Sequence, residues 1–267
     1  MTIKKAPQKI VSLAPSNTEI LFALGIDDRI IGVTEYCDYP EAAKSKPRVS
    51  SYTTPNMEKL VSLAPDLILA ESIHETMVLP ALEKLNFTVI VLKAISVDAV
   101  LDNIKQVGQI TDKNQAAKDM VKDINSKVSS ISAKTASLSP ENRLRVLYVV
   151  WWQPIWTMGG KTFVNDLIKI AGGTNIFGTA FEDSRTVSLE SVITANPQVI
   201  IASGMGTTGD VTFNAVKSEG RLKSVEAMVK NRVYKIDNAN LVERPGPRIA
   251  QGLKEMARII HPELFDK

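Results

Sequence analysis

A chain of 267 residues, 44% apolar and 23% charged, is long enough to bury one large or two modest α/β cores. Its 32 basic and 29 acidic residues are interspersed, giving a net charge of +3 and no basic stripe, which argues against nucleic acid as a partner. One cysteine excludes an internal disulfide, two histidines are too few for most protein zinc sites, and no apolar run is long enough to span a membrane.

The amino-terminal residues 1–5 include two lysines but lead into no apolar stretch and no cleavage site, so no secretion signal is recognisable. Two interpretations remain open. Either the protein is cytosolic, or its signal is absent from this sequence because a start methionine has replaced it.

Strand and helix patterns alternate through residues 1–95. Strands are predicted at residues 9–13, 29–33, 67–70 and 88–92, and helices at residues 18–25, 57–64 and 78–85. Strands that alternate with helices predict a mainly parallel sheet. The loops predicted after the strands include residues 34–55 and 71–75.

Residues 96–139 form a helical segment with no proline and a single glycine, Gly108. A polar break at Thr111 and Asp112, either of which could cap a new helix, divides its pattern. The second part predicts a helix over about residues 113–134, roughly 33 Å long. The predicted domains are therefore an amino-terminal lobe (1–95), a connecting segment with a long helix (96–139) and a carboxyl-terminal lobe (140–267).

The second half resembles the first. A strand is predicted at residues 143–150, an aromatic loop at 151–161 and a helix at 163–171. Residues 189–202 then align with residues 57–70 without a gap, sharing a glutamate, a proline and the final alanine. This match indicates an internal repeat. The alternative is that helix, proline and strand form a common connection of α/β proteins.

The repeat predicts two α/β lobes with a ligand cleft between them, since small-molecule sites favour domain interfaces and the carboxyl ends of parallel strands. Loops at those strand ends supply Ser16, Asn17, Tyr36, Tyr52, Glu71 and His74 from the first lobe, and Trp151, Trp152, Trp156, Met158, Arg185, Met205 and Asn240 from the second. Aromatic rings in loops suit a large, flat, partly polar ligand. Alternatively, one or two of the tryptophans fill the core beneath the loop.

No catalytic or phosphate-binding motif is recognisable. His74 is not tied to a nucleophile, residues 12–16 lack the glycines of a nucleophile elbow, and residues 203–206 lack the lysine of a P-loop. The protein is therefore predicted not to be an enzyme and to need no cofactor.

Five stretches resemble signature sequences of the substrate-binding proteins of ABC importers for vitamin B12, iron-siderophores and haem. They are residues 10–19, 36–40, 65–70, 172–177 and 242–248, in the family's order. The cobalamin-binding branch is the most similar, judged by residues 36–40 and 183–185. The resemblance implies two Rossmann-like α/β lobes with mainly parallel sheets, joined by a single long rigid helix, with the ligand in a cleft between the lobes.

In the cobalamin branch, ring contacts come from positions that match Tyr36, Tyr52 and the loop of Trp151, Trp152 and Trp156. Two positions depart from that pattern. Glu71 stands where the branch can carry a tryptophan, and Asn240 where it can carry an aspartate. Another corrinoid, or another macrocycle, is therefore an open alternative.

The resemblance also implies that one surface glutamate per lobe docks on arginines of the membrane permease subunits. The matching positions are Glu75 and Glu243. Glu71 is the alternative docking residue to Glu75, and Asp210 is the alternative to Glu243. Glu243 could instead form an ion pair with a neighbouring arginine of its own chain. One charge on each lobe would fix the orientation of docking more than its strength.

The function predicted is that of a monomeric extracytoplasmic protein, periplasmic or lipid-anchored, that captures cobalamin or a related cobalt corrinoid and delivers it to an ABC importer. Haem or a ferric siderophore is the alternative ligand, with His74, Tyr36, Tyr52, Met158 and Met205 as candidate iron ligands. A cytosolic ligand-binding sensor or an enzyme is the alternative of another class.

Overall fold

A computed structural model of the chain describes residues 5–204 and 208–266. Contacts divide the chain into two compact units: unit 1 is Met1–Ala94 with Asp98–Asp123, and unit 2 is Ile95–Val97 with Ile124–Lys267. The helical segment predicted at residues 96–139 is therefore divided between the two units and does not form a third.

Unit 1 is built on five strands. They are β1 (Ile10–Ser12), β2 (Ile30–Thr34), β3 (Arg48–Ser50), β4 (Leu67–Glu71) and β5 (Val89–Leu92). All pairings are parallel, in the order β3-β2-β1-β4-β5. The central strands β1 and β4 carry apolar residues in succession because a parallel strand covered on both faces buries every side chain.

Three short helices cover the sheet of unit 1. They are α1 (Pro15–Ala23), α2 (Met57–Leu63) and α3 (Leu79–Lys84). Helix α1 begins three residues before its predicted start at Thr18, because a proline in the first turn has the helical φ already and lacks only an N–H that would be unpaired there. Ser16 and Asn17 consequently lie in the first turn of α1 and are buried, whereas the sequence predicted them in a loop.

Two longer helices follow, α4 (Val97–Ile110) and α5 (Asn114–Thr135), with the break where the sequence predicted it. The Thr111 hydroxyl donates to the Val107 carbonyl at 2.7 Å, so it closes α4 and does not cap α5. A side chain at Gly108 would overlap the Cβ of Ala117. Glycine at this position lets the end of α4 approach the first turn of α5 closely.

Unit 2 contains a six-stranded sheet. Its strands are β6 (Leu144–Trp151), β7 (Ile155–Thr157), β8 (Gly173–Asn175), β9 (Arg185–Val187), β10 (Val199–Ala202) and β11 (Val233–Lys235). The order is β11-β10-β6-β7-β9, and β8 pairs with the beginning of β6. Only the β6–β7 and β7–β9 pairings are antiparallel, so the predicted α/β class with mainly parallel sheets is confirmed.

The aromatic loop predicted at residues 151–161 is in part a β-hairpin. Trp151 is the last residue of β6 and pairs with Trp156 on β7, while Val149 pairs with Thr157. The Thr157 hydroxyl reaches the Tyr148 carbonyl at 2.7 Å and fixes the pairing. The hairpin therefore holds the two tryptophans in a defined strand register.

The helices of unit 2 surround this sheet. They are α6 (Phe163–Ile170), α7 (Leu189–Ala195), α8 (Gly209–Ser218), α9 (Glu226–Val229), α10 (Asn240–Glu243), α11 (Ile249–Ile260) and α12 (Pro262–Phe265). Helix α11 buries one face that includes Leu253 and Met256 and leaves its charged face outside. None of the described helices has both the length and the apolar composition that a membrane crossing requires.

The structure confirms the internal repeat. Helices α2 and α7 and the strands after them keep the constant sequence offset, and each helix ends at a residue with left-handed backbone: Ala64 with φ 44° and Asn196 with φ 42°. Each also begins at a polar cap, where Asn56 and Ser188 accept from the backbone N–H three residues later. Helix, left-handed residue and strand thus recur as one motif in both units.

Candidate functional site

Ser16 and Asn17 attach the start of α1 to the end of β4. The Ser16 hydroxyl donates to the Glu71 carboxylate, and the Asn17 amide donates to the Ala70 carbonyl at 3.1 Å. Both side chains are buried. The predicted ligand residues Ser16 and Asn17 therefore have structural partners that position the end of β4.

Tyr36 and Tyr52 form an exposed aromatic pair beside these residues. Their ring centroids are 6.0 Å apart and their planes are perpendicular at 89°. The exposed fractions are 54% for Tyr36 and 37% for Tyr52. The Tyr52 hydroxyl donates to Glu71 Oε2 at 3.3 Å. The structure thus brings together the two predicted ring-binding residues of unit 1.

Glu71 is the centre of the polar cluster at the end of β4. Its carboxylate accepts from Ser16, from Tyr52 and from the backbone N–H of His74. Burial raises the pKa of this carboxyl above its usual range, and the Ser16 hydrogen bond partly opposes the shift. The sequence placed Glu71 among the strand-end loop residues, and singled it out as a departure from the cobalamin branch and as a docking alternative.

His74 is buried and both of its ring nitrogens have partners. Nδ1 accepts from the Glu71 backbone N–H at 3.1 Å, so Nε2, 3.0 Å from the Tyr52 carbonyl, carries the proton. This network assigns a neutral tautomer that joins β4 to the Tyr52 loop. This geometry argues against His74 as an iron ligand, because both of its ring nitrogens are already hydrogen-bonded within unit 1.

Trp151 and Trp156 are the aromatic pair of unit 2. They lie opposite each other on the β6–β7 hairpin, with exposed fractions of 39% and 40%. The Trp151 indole N–H donates to the Gln153 carbonyl at 2.9 Å, which holds the ring over the turn. Two large exposed rings on one hairpin provide an apolar contact surface, and their limited side-chain freedom keeps the entropic cost of binding low.

Trp152 differs from the prediction. Its side chain is 6% exposed and packs in the core of unit 2 with Val149, Phe177 and Val216. Trp152 is the first residue of the turn after β6, and its ring points into the core while the ring of Trp151 stays exposed. The ring also forms part of the wall of a cavity of about 340 Å³ that lies between the hairpin and α8.

Arg185 and Asn240 are not brought into the tryptophan pair. Arg185 on β9 pairs with Thr157 on β7, whereas Trp156 pairs with the next residue of β9. The guanidinium of Arg185 lies 4.8 Å from the ring centroid of Phe181. Asn240 is the first residue of α10 and its backbone N–H donates to Asn238 Oδ1 at 3.2 Å. Their predicted ligand contacts stay predictions.

Glu243 is partly buried and is hydrogen-bonded within unit 2. Its carboxylate accepts from the Ser203 hydroxyl and, at 3.3 Å, from the hydroxyl of the fully buried Tyr148. Burial raises the pKa of Glu243, because a poorly hydrated carboxylate favours its neutral form. The docking role of Glu243 stays a prediction, although its carboxylate is engaged by Ser203 and Tyr148 within its own unit.

Glu75 and Asp210 are carboxylates on the surfaces of units 1 and 2. Glu75 pairs with Lys93 at 2.9 Å, and Asp210, which is exposed, pairs with Lys235 at 2.7 Å. Surface pairs of this kind contribute little to stability, so both carboxylates can exchange partners.

Of the methionines considered as iron ligands, Met158 is partly buried, and Met205 lies outside the described residues. Across residues 5–204 and 208–266, no three His, Cys, Asp or Glu side chains cluster in a way that could hold a metal ion.

The fold and these strand-end clusters agree with a known class, the extracytoplasmic substrate-binding proteins. A family model described as "Periplasmic binding protein" matches residues 10–239, and the chain belongs to this family. It is the substrate-binding component of an ABC importer, which presents a small molecule to permease subunits, and it is not an enzyme.

Three relatives illustrate the family. An uncharacterized ABC transporter substrate-binding lipoprotein of Bacillus subtilis is 34% identical over 99% of this chain and 83% of the relative. A vitamin B12-binding protein of Vibrio vulnificus is 30% identical over 96% of this chain and 91% of the relative. A solved structure of a possible iron-binding, periplasmic solute-binding protein of Staphylococcus epidermidis superposes with a TM-score of 0.80 at 33% identity, covering 96% of this chain and 100% of that one.

Proposed function

We propose that this substrate-binding protein captures cobalamin or a related cobalt corrinoid. The observation that carries the proposal is the pair of exposed rings at the strand ends of each unit, Tyr36 with Tyr52 and Trp151 with Trp156. Each pair offers a broad apolar contact surface with a nearby hydrogen-bonding group, which suits a flat macrocycle with a polar rim. The relative that is named as a vitamin B12-binding protein supports the same ligand class.

Haem or a ferric siderophore is the second candidate, favoured by the solved relative described as a possible iron-binding protein. Haem iron takes an axial His, Tyr, Met or Cys from the protein. With His74 engaged on both nitrogens, this role would fall to Tyr36, Tyr52 or Met158. A corrinoid whose cobalt already carries both axial ligands makes no such demand, and the corrinoid is therefore the better match.

We further propose that the protein works in the periplasm or on the outer face of the membrane, held there by a lipid as in the Bacillus subtilis relative. Its docking charges on the permease subunits would be Glu75 on unit 1 and Asp210 on unit 2. Each is already in a surface ion pair with a lysine, and an arginine of the permease would replace that lysine with a bidentate partner.

Calorimetric titration of the ring variants tests the ligand proposal. Trp151→Ala, Trp156→Ala and Tyr36→Ala should each weaken cyanocobalamin binding by about tenfold or more, the usual loss for an aromatic anchor at a binding surface. Tyr234→Ala is the matched control, because this ring lies on the edge strand β11 beside α11 and α12. Equal affinities for all four variants would overturn the proposed site.

A further inference from the structure

We propose that Glu71 makes the ring-binding surface of unit 1 selective for macrocycles that carry N–H donors, such as primary amides, over macrocycles that carry carboxylates. The inference rests on the proposed function, because it assumes that a macrocycle contacts Tyr36 and Tyr52. It adds a basis for choosing among ligands of the same size and shape.

The charge of Glu71 has no cationic partner within the described part of the chain. The donors to its carboxylate are the Ser16 hydroxyl, the Tyr52 hydroxyl and the His74 backbone N–H, all of them neutral. The His74 ring beside it is held in a neutral tautomer by its own two hydrogen bonds. When Glu71 is ionised, its negative charge therefore has no cation beside it, and the N–H donors of a ligand can pair with it.

The position of the carboxylate puts this charge next to the ring pair. Tyr52 connects the two, since its ring packs edge-to-face on Tyr36 while its hydroxyl reaches Glu71 Oε2. At 3.3 Å that hydrogen bond is long for two oxygens, so the hydroxyl can turn to another acceptor at little cost. A carboxylate has about four lone-pair positions, and three donors leave one for a ligand.

Ligands differ in what they would present here. The rim of a corrinoid such as cobinamide carries primary amides, whose N–H groups can donate a charge-assisted hydrogen bond to a carboxylate. Haem carries two propionates, and a propionate near Glu71 would place like charges together in a partly buried site. One carboxylate thus favours the amide-bearing ring and disfavours the acidic one, which neither a tyrosine nor a serine at this position would do.

The test compares ligand pairs that share a ring and differ in whether the rim carries carboxylates. Dicyanocobinamide and dicyanocobyrinic acid are the amide and carboxylate forms of the corrin, and haem dimethyl ester with haem tests the charge repulsion alone. We expect the wild-type protein to prefer the amide corrin, and Glu71→Gln to reduce that preference by about tenfold or more, because the variant keeps the shape and the acceptor but loses the charge.

Tyr52→Phe separates charge from positioning. It removes the hydrogen bond to Glu71 and keeps both the ring and the carboxylate, so the preference should persist even if total affinity falls. An unchanged preference in Glu71→Gln would overturn the inference, and so would an equal loss of preference in Tyr52→Phe, which would mean that Glu71 acts only by holding Tyr52.

The two proposals fail separately. If the wild-type protein binds no corrin, the proposed function is wrong. The selectivity is then measured with the porphyrin pair, of which haem dimethyl ester should bind more tightly than haem. Failure to prefer the ester would overturn the inference as well. Corrin binding with no amide preference would overturn the inference alone.

Discussion

The strand-end carboxylates Glu71 and Glu243 belong to similar polar clusters, although they come from different elements. Each accepts from a serine hydroxyl and a tyrosine hydroxyl: Glu71 from Ser16 and Tyr52, and Glu243 from Ser203 and Tyr148. In the repeat, Ser203 occupies the position that corresponds to Glu71, and the carboxylate of the second cluster comes from α10 instead. Both clusters keep a carboxylate at the carboxyl end of a parallel strand, at a cost in hydration.

Glu243→Gln should change how stability depends on pH. Because burial raises the folded-state pKa of Glu243 above its unfolded value, the folded protein binds this proton more tightly. Its favourable contribution is present at low pH and is lost as the pH rises through the folded-state pKa. Thermal melts of both proteins between about pH 4 and about pH 8 should therefore show the melting temperature of the variant rising relative to that of the wild type as the pH increases. A pH-independent gap would contradict a buried ionised Glu243.

His74→Ala tests the assignment of His74 as a structural residue. The substitution leaves the Glu71 N–H and the Tyr52 carbonyl without their partners, and each unsatisfied buried group costs about 1–3 kcal/mol. Denaturant unfolding should show a clear loss of stability. If haem binds the protein, its Soret band should be the same in the variant and the wild type, and a changed axial-ligand spectrum would restore His74 as a metal ligand.

The sequence predicted where the aromatic side chains lie along the chain more reliably than the direction in which they point. The exposed pairs Tyr36 with Tyr52 and Trp151 with Trp156 lie at strand ends as expected. The inward direction of Trp152 depends on the turn between β6 and β7, whose conformation is set when the two strands pair. Local sequence does not encode that pairing.

At the scale of elements, the contact between α4 and α5 depends on one residue without a side chain. Gly108→Ala should destabilise the protein by about 1–3 kcal/mol, because the new methyl group overlaps the Cβ of Ala117. Gly220→Ala is the matched control, since nothing lies within 4 Å of the added carbon. Chemical denaturation should show a loss of stability for Gly108→Ala only. Equal stabilities of the two variants would contradict the close approach of α4 to α5.

Periodicity and proline predicted the elements that repeat, and missed those that depend on tertiary pairing. The motif of α2 with β4 recurs in α7 with β10 because its cap, its left-handed residue and its strand are all locally encoded. The strands β7, β8 and β9 have three residues each, too few for a periodic signal, and they exist because they pair with one another or with β6.

At the scale of the whole molecule, docking should depend on surface charge and not on ligand affinity. The double variant Glu75→Lys with Asp210→Lys should abolish uptake in cells, because it places lysines against the arginines expected on the permease, while calorimetry should show unchanged ligand affinity. Glu83→Lys with Glu182→Lys reverses the same number of exposed charges elsewhere and should leave uptake intact. Normal uptake by the first variant would move the docking charges to other residues.

The most direct test of the central claim is one competition measurement on the wild-type protein. Cyanocobalamin, dicyanocobinamide, haemin and a ferric siderophore are titrated under identical conditions by calorimetry, with the visible absorption band recorded in parallel. Saturable binding of a corrinoid with one equivalent per chain, tighter than that of haemin or the siderophore, is the predicted result. Binding of haemin or the siderophore with no binding of either corrinoid would contradict it.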